Sequence, residues 1–217
     1  MNLLTYIIAY PFIWLISRLN FTIIYLISDF LYYVLYYVFS YRKSVVRENL
    51  KLAFPKMPKK ERLKLEKNIF RNLTDVFLET FKSINVSEEE LKKRFVFKYP
   101  EVLERVYNNN QNVIVMCSHY CCWEWVFGVR NVTNFKINAI YKQLSNKYFD
   151  RLTKSRRSKF GANMIKTKDT FKEISRKSEL KELNWYGFAS DQSPKKSKAV
   201  YWNYFLNNWV PIHIGAE

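Results

Sequence analysis

The chain has 217 residues and a mass of 26.3 kDa, room for one domain with a sizeable core and a small appendage. With 48% hydrophobic residues, 25% charged residues, 4 glycines and 6 prolines, it is not disordered, collagen-like or low-complexity. Lys and Arg number 36 against 19 Asp and Glu, a net charge of +17 that asks for an anionic partner; the three cysteines, Cys117, Cys121 and Cys122, are clustered and odd in number, which argues against a disulfide framework and for a reducing compartment.

Residues 1–41 carry one charge of each sign, Arg18 and Asp29, so the whole net charge falls on 42–217. No basic segment precedes the first apolar run and no small-residue cleavage site follows it, so a signal peptide fits poorly. The second run, FTIIYLISDFLYYVLYYVFSY from residue 21 to 41, has the length of a spanning helix, about 20 residues. Asp29 in its middle would cost about 2.5–3.5 kcal/mol in hydrocarbon unless a partner or water reaches it. The expectation is a helical hairpin over 1–41 that lies in or partly through a bilayer, followed by one α/β domain over 42–217. A buried helical pair inside a soluble domain is the alternative. Residues 42–71 hold eleven Lys and Arg against Glu48, Glu61 and Glu66, a flank that the positive-inside rule keeps cytoplasmic, against anionic headgroups.

Over 58–84, Ile69, Phe70, Leu73, Val76, Phe77 and Phe81 recur at three- and four-residue spacing, which predicts an amphipathic helix with a basic outer face in its first half. A polar stretch, NVSEEELKKRF, leads to Pro100 and a short helix. After residue 110 short apolar runs alternate with helical segments. Strands are predicted at 112–118, 136–141, 184–190 and 208–214, with a weaker one at 162–165; helices are predicted at 121–131, 145–160 and 168–181. This alternation predicts an α/β fold with a mixed, mostly parallel sheet flanked by helices, preceded by the N-terminal apolar membrane anchor. Chemistry in such sheets gathers beyond the carboxyl ends of strands, here after Ser118, Tyr141 and Ser190.

The first of these places reads VIVMCSHYCCWEWVFG. His119 sits at the strand's carboxyl edge and Glu124 lies five residues on, near the predicted helix start. A helix N-terminus disfavours imidazolium, a neutral histidine can act as a general base, and a carboxylate on its second nitrogen fixes the tautomer. Glu124 suits that part if the chain turns back. A structural histidine beside a dipole-stabilised glutamate fits the same spacing. Cys117, His119, Cys121 and Cys122 form no zinc site by spacing, because a second ligand cluster is missing and the other histidine is His213. Packing accounts for the cysteines better than a nucleophilic Cys/His pair.

The HxxxxE box after an apolar strand, with Trp123 before the acid, resembles the HxxxxD/E motif of glycerolipid acyltransferases. HYCCWEW is most similar to the lipid A late acyltransferases, the lauroyl and myristoyl transferases of lipopolysaccharide synthesis. YRKSVVRENLKLAFP (41–55), AIYKQLSNKYFDRLTKSRRSKFG (139–161) and ASDQSP (189–194) resemble the same family in the right order. The resemblance implies acyl transfer from a thioester, on acyl carrier protein or acyl-CoA, to a hydroxyl of a phosphorylated lipid acceptor. His119 would be the base and Glu124 would hold it. Arg157, or its neighbour Arg156, would bind phosphate or steady the oxyanion, while Asp191 and Gln192 match a DQ motif that shapes the site. No cofactor or metal is implied. The resemblance also places the chain at the cytoplasmic face of the inner membrane and lets the family continue beyond HIGAE, so that the domain reads as incomplete at its C-terminus. Residues 142–177, with twelve Lys and Arg against Asp150, Asp169 and Glu173, would draw the anionic partners. Two rival classes remain: a basic nucleic-acid-binding protein, for which no recognition signature is present and which this reading excludes from the partners, and a non-catalytic membrane-anchored protein.

Overall fold

The computed structural model describes residues 2–212. The chain opens with α1 (Asn2–Arg18) and α2 (Phe21–Tyr33), and α2 continues through a π-helical stretch, Val34–Val38. Asn20 separates them because its side chain accepts the Ile23 amide at 2.9 Å and caps α2. Arg42 in a left-handed conformation turns the chain into α3 (Lys43–Ala53), and Pro58 precedes α4 (Lys59–Lys82). Glu66, Phe70, Thr74 and Leu78 form the buried stripe of α4, at the four-residue spacing of one helix face. α2 packs along α4, so the apolar segment and the basic amphipathic helix are one packed unit.

Two short helices follow. α5 (Glu88–Arg94) was not foreseen, although its signals are strong. Ser87 accepts the Glu90 amide, three glutamates open the helix and Lys92, Lys93 and Arg94 close it, matching the dipole at both ends. α6 (Pro100–Asn108) starts on proline, as expected.

β1 (Val113–Cys117), β2 (Lys136–Tyr141), β3 (Asn163–Lys166) and β4 (Asn184–Ala189) form an all-parallel sheet in the order β1-β4-β2-β3. The predicted α/β class is therefore found. α7 (Lys147–Lys159) joins β2 to β3, and α8 (Thr170–Glu179) joins β3 to β4. The chain crosses the sheet in one direction as far as β3 and reverses to place β4 beside β1. A right-handed crossover then requires α8 on the face opposite to the other connections. The burial agrees. Trp125, Phe127, Phe135, Ile137 and Trp185 build the main core on one face, whereas Ile165, Tyr186 and Phe188 pack with Ile174 of α8 on the other. Gly187 is required by close approach: a Cβ there would lie 2.5 Å from the Trp185 ring.

Two sequence expectations change. The predicted helix at 121–131 is a 3-10 run, Trp123–Val132, rich in aromatic and β-branched residues that are poor helix formers, with Gly128 pressed against Leu91. The strand predicted at 208–214 is β6 (Asn208–Ile212), and it leaves the parallel sheet to pair antiparallel with an unforeseen β5 (Tyr201–Phe205). Leu206 and Asn207 both take positive φ in the connecting turn, the geometry that matches strand twist in a two-residue hairpin. Positions 213 and 214 of the predicted strand, including His213, lie outside the described residues.

Candidate active site

β1 and β4 are hydrogen-bonded neighbours, with Cys117 opposite Ala189, and the Ser190 amide donates to the Cys117 carbonyl at 3.0 Å just past the strand ends. His119 lies two residues beyond β1 and Asp191 two residues beyond β4, so parallel register brings the two side chains together. The Asp191 carboxylate meets His119 twice: Oδ2 accepts the backbone amide at 2.9 Å, and Oδ1 lies 2.7 Å from ring Nδ1. A carboxylate at Nδ1 assigns the proton to that nitrogen and the lone pair to Nε2. Trp123 meets the imidazole edge-on, with centroids 4.9 Å apart, and fixes the ring from the side. The histidine side chain is 31% exposed, so the pair is open to a substrate. Burial works against the Asp191 charge, but the His119 amide and ring outweigh it and hold the carboxyl below the ordinary aspartate value.

Glu124 was expected to hold the histidine, and its carboxylate goes elsewhere. Between the two residues Cys121 takes a left-handed conformation, φ 51°, and the 3-10 run then carries Glu124 into the core. The glutamate side chain is 3% exposed and pairs with both Arg156 and Arg157 of α7. Arg157 grips it in a fork, Nη2 to Oε1 at 2.7 Å and Nε to Oε2 at 3.1 Å. Arg156 also donates to the Thr80 carbonyl and the Ser83 hydroxyl, both at 2.9 Å. Burial opposes the Glu124 charge, and the two guanidinium groups overcome it, so its carboxyl stays below the usual glutamate value. The cluster ties the 3-10 run, α7 and the end of α4 together. The two arginines foreseen as phosphate or oxyanion ligands are thus engaged by Glu124, and the orienting carboxylate on His119 is Asp191. Gln192 is exposed next to it.

Asp191 was foreseen only as shaping the site. A stronger signal was available, because it ends the β4 segment as His119 ends the β1 segment, and parallel neighbours bring such residues together. Cys122 packs in the interior and Cys117 is half-buried, and burial pushes both thiols up, away from thiolate chemistry; Cys121 is exposed. Of the basic residues in 142–177, Lys154 pairs with Asp150 and Lys177 with Glu182, while Lys142, Lys147, Arg151, Lys168 and Lys172 are exposed. Asn146, beyond the carboxyl end of β2, caps α7 through the Tyr148 amide and donates to the Asn2 carbonyl at 2.9 Å. Tyr6 packs on Tyr148 and Phe149, so the start of α1 runs along the same end of the sheet as His119. A cavity of about 250 Å³ lined by Phe127, Arg130, Lys159 and Phe160 lies next to Gly161, before β3, at the opposite edge of the sheet from the His119–Asp191 pair.

The chain is similar to known proteins. The bacterial lipid A biosynthesis acyltransferase family is matched over residues 2–210. A relative from Shigella flexneri, lipid A biosynthesis acyltransferase 2, is 25% identical over 150 residues. That alignment takes in 69% of this chain and 48% of the relative, so the chain spans about half the length of the curated relative it matches. A match that runs through the N-terminal helices, the parallel sheet and the His119 segment places this chain in the bacterial lipid A biosynthesis acyltransferase family.

Proposed function

We propose that the chain transfers a fatty acyl group from a carrier thioester to a hydroxyl of a lipid A precursor at the cytoplasmic face of the inner membrane, with His119 as general base. The observation that carries this reading is the double contact of Asp191 with His119, which fixes the ring and leaves the basic lone pair on Nε2. Nε2 takes the proton from the acceptor hydroxyl as its oxygen attacks the thioester carbonyl. The new C–O bond forms, the C–S bond breaks, and the proton passes to the departing thiolate. The thioester is already activated, so the reaction needs no acyl-enzyme, metal or cofactor. Glu124, Arg156 and Arg157 act beneath the site as the scaffold that sets the 3-10 run against α7. The exposed lysines and arginines of 142–177 suit an anionic donor, acyl carrier protein or acyl-CoA, and a phosphorylated acceptor.

The test is lipid mass spectrometry on a host lacking its own late acyltransferase, expressing this chain or its His119→Ala variant in matched amounts. The expected result is a lipid heavier by one acyl group with the unsubstituted chain. The variant should lose about 10²–10⁴-fold in rate, the usual size of general-base catalysis. Equal product from both would remove His119 from the mechanism.

A further inference from the structure

We propose that α1 and α2 lie in the plane of one leaflet of an anionic bilayer, beside the His119 end of the sheet, and do not cross the membrane. The inference builds on the reading of the chain as a membrane-surface acyltransferase and adds how it is seated. By length and hydropathy alone Phe21–Val38 would cross, with 18 residues and a mean hydropathy of 1.5. Its packing says otherwise. The inward side of this helical segment is hydrogen-bonded to α4 along its length: Tyr25 donates to Glu79 at 2.7 Å, Ser28 to Asp75 at 2.6 Å and Tyr36 to Glu66 at 2.9 Å. Arg94 donates to the Tyr25 hydroxyl at 3.0 Å, and Arg71 lies over the Tyr32 ring.

α4 cannot follow α2 into hydrocarbon. Its 24 residues include Glu66, Lys67, Arg71, Asp75 and Glu79 in the stretch that faces or flanks α2, and each such charge costs about 2.5–3.5 kcal/mol at the bilayer centre. If α2 crossed alone, it would break the seam and carry the hydroxyls of Tyr25, Ser28 and Tyr36 into lipid without these partners. Asp29 would stand near mid-membrane, although here it is exposed.

The outward side is largely apolar. Ile7, Phe12 and Leu15 of α1 and Leu26 and Phe30 of α2 are each more than half exposed, and only 22% of the Phe21–Val38 window is buried, too little for a core helix. Arg18, Arg42 and Arg71 are exposed cations on these helices and their border, complementary to anionic headgroups. A helix with one lipid-compatible side and one side hydrogen-bonded to protein belongs in the interface plane. Asn146 and Tyr148 hold the start of α1 at the sheet end that carries His119. The seat therefore sets the base at the level where a lipid hydroxyl arrives without leaving its leaflet.

The test uses the full chain in inverted inner-membrane vesicles, cytoplasmic face outward, carrying Arg18→Cys or Ser40→Cys. A membrane-impermeant maleimide-polyethylene glycol is counted by mass shift against the unsubstituted chain, whose exposed Cys121 supplies the background. The two sites flank α2, so any crossing, single or as a hairpin, puts residue 18 on the far side from residue 40. The expected result is one additional tag per chain at both sites before detergent is added. A tag at Arg18→Cys that appears only after detergent would overturn the proposal. So would recovery of the chain in the soluble fraction, which would mean that protein, such as a second copy, covers the apolar face. Labelling involves no acyl transfer, so its outcome stands apart from that of the His119→Ala experiment.

Discussion

Asp191 touches His119 through both carboxylate oxygens, one on the main chain and one on the ring. Such an arrangement controls where the loop stands and which nitrogen carries the proton, two conditions for a base to meet a hydroxyl in line. Asp191→Ala should therefore lower kcat by about 10²-fold with little change in melting temperature, because the residue sits in a partly exposed loop and its loss leaves no buried charge. In the proposed mechanism Asp191 positions the base, so its loss should also alter the pH profile of kcat/KM, since the ring tautomer is no longer assigned. A variant with normal turnover and an unaltered profile would take Asp191 out of the mechanism. Cys121 acts at the same scale. Its left-handed backbone separates a histidine that faces the site from a glutamate that faces the core, only five residues apart.

At the scale of elements, the sheet works because one strand is made unusually thin. β4 lies between β1 and β2 and is buried along nearly its whole length, with Trp185 laid across Gly187 on the main-core face. Gly187→Ala would drive a methyl group into the indole and should destabilise the fold by about 1–3 kcal/mol, the usual size of core overpacking. The denaturation midpoint should fall with an unchanged m-value. An unchanged midpoint would mean that Trp185 can move aside. The α2–α4 seam is the other decisive pairing: it turns a segment with the composition of a membrane span into one face of a packed helix pair.

For the whole molecule, the buried Glu124–Arg156–Arg157 cluster joins the helical unit formed by α4 to the α/β sheet through Thr80 and Ser83. Removing the carboxylate would leave two guanidinium groups in the interior without their counter-charge. Glu124→Gln should cost about 3–5 kcal/mol, the usual loss on breaking a buried pair. The pH dependence has a definite sign. The Glu124 carboxyl titrates below its ordinary value in the folded chain, so its contribution is complete above the unfolded value, about 4.3, and fades as pH falls through the folded value. The difference in melting temperature between the unsubstituted chain and the variant should accordingly be largest near neutrality and shrink in acid. A difference that stays constant from pH 7 to pH 3 would show that the cluster is not ionised.

Much of this protein was legible in its residues. Strand and helix periodicity marked all four strands of the parallel sheet, and the three- and four-residue spacing of Ile69, Phe70, Leu73, Val76, Phe77 and Phe81 marked α4 as a helix, although of these only Phe70 belongs to its buried stripe and Ile69, Leu73 and Phe77 are exposed. The short acidic and basic run of α5 was readable from its caps, and the composition of β5 was not enough to outweigh its position in a basic loop. The HxxxxE box pointed to the carboxyl end of β1, where His119 lies two residues past the strand, since spacing and strand position are properties of the chain itself. The partners within the site were not legible. Whether Glu124 or Asp191 reaches His119 depends on one left-handed residue and on which strand lies beside β1, and sheet order is a long-range property that local spacing does not encode. The same holds for the apolar N-terminus. Its sequence determined that it is apolar, and only its packing on the acids of α4 decided which side of it faces protein and which is left exposed.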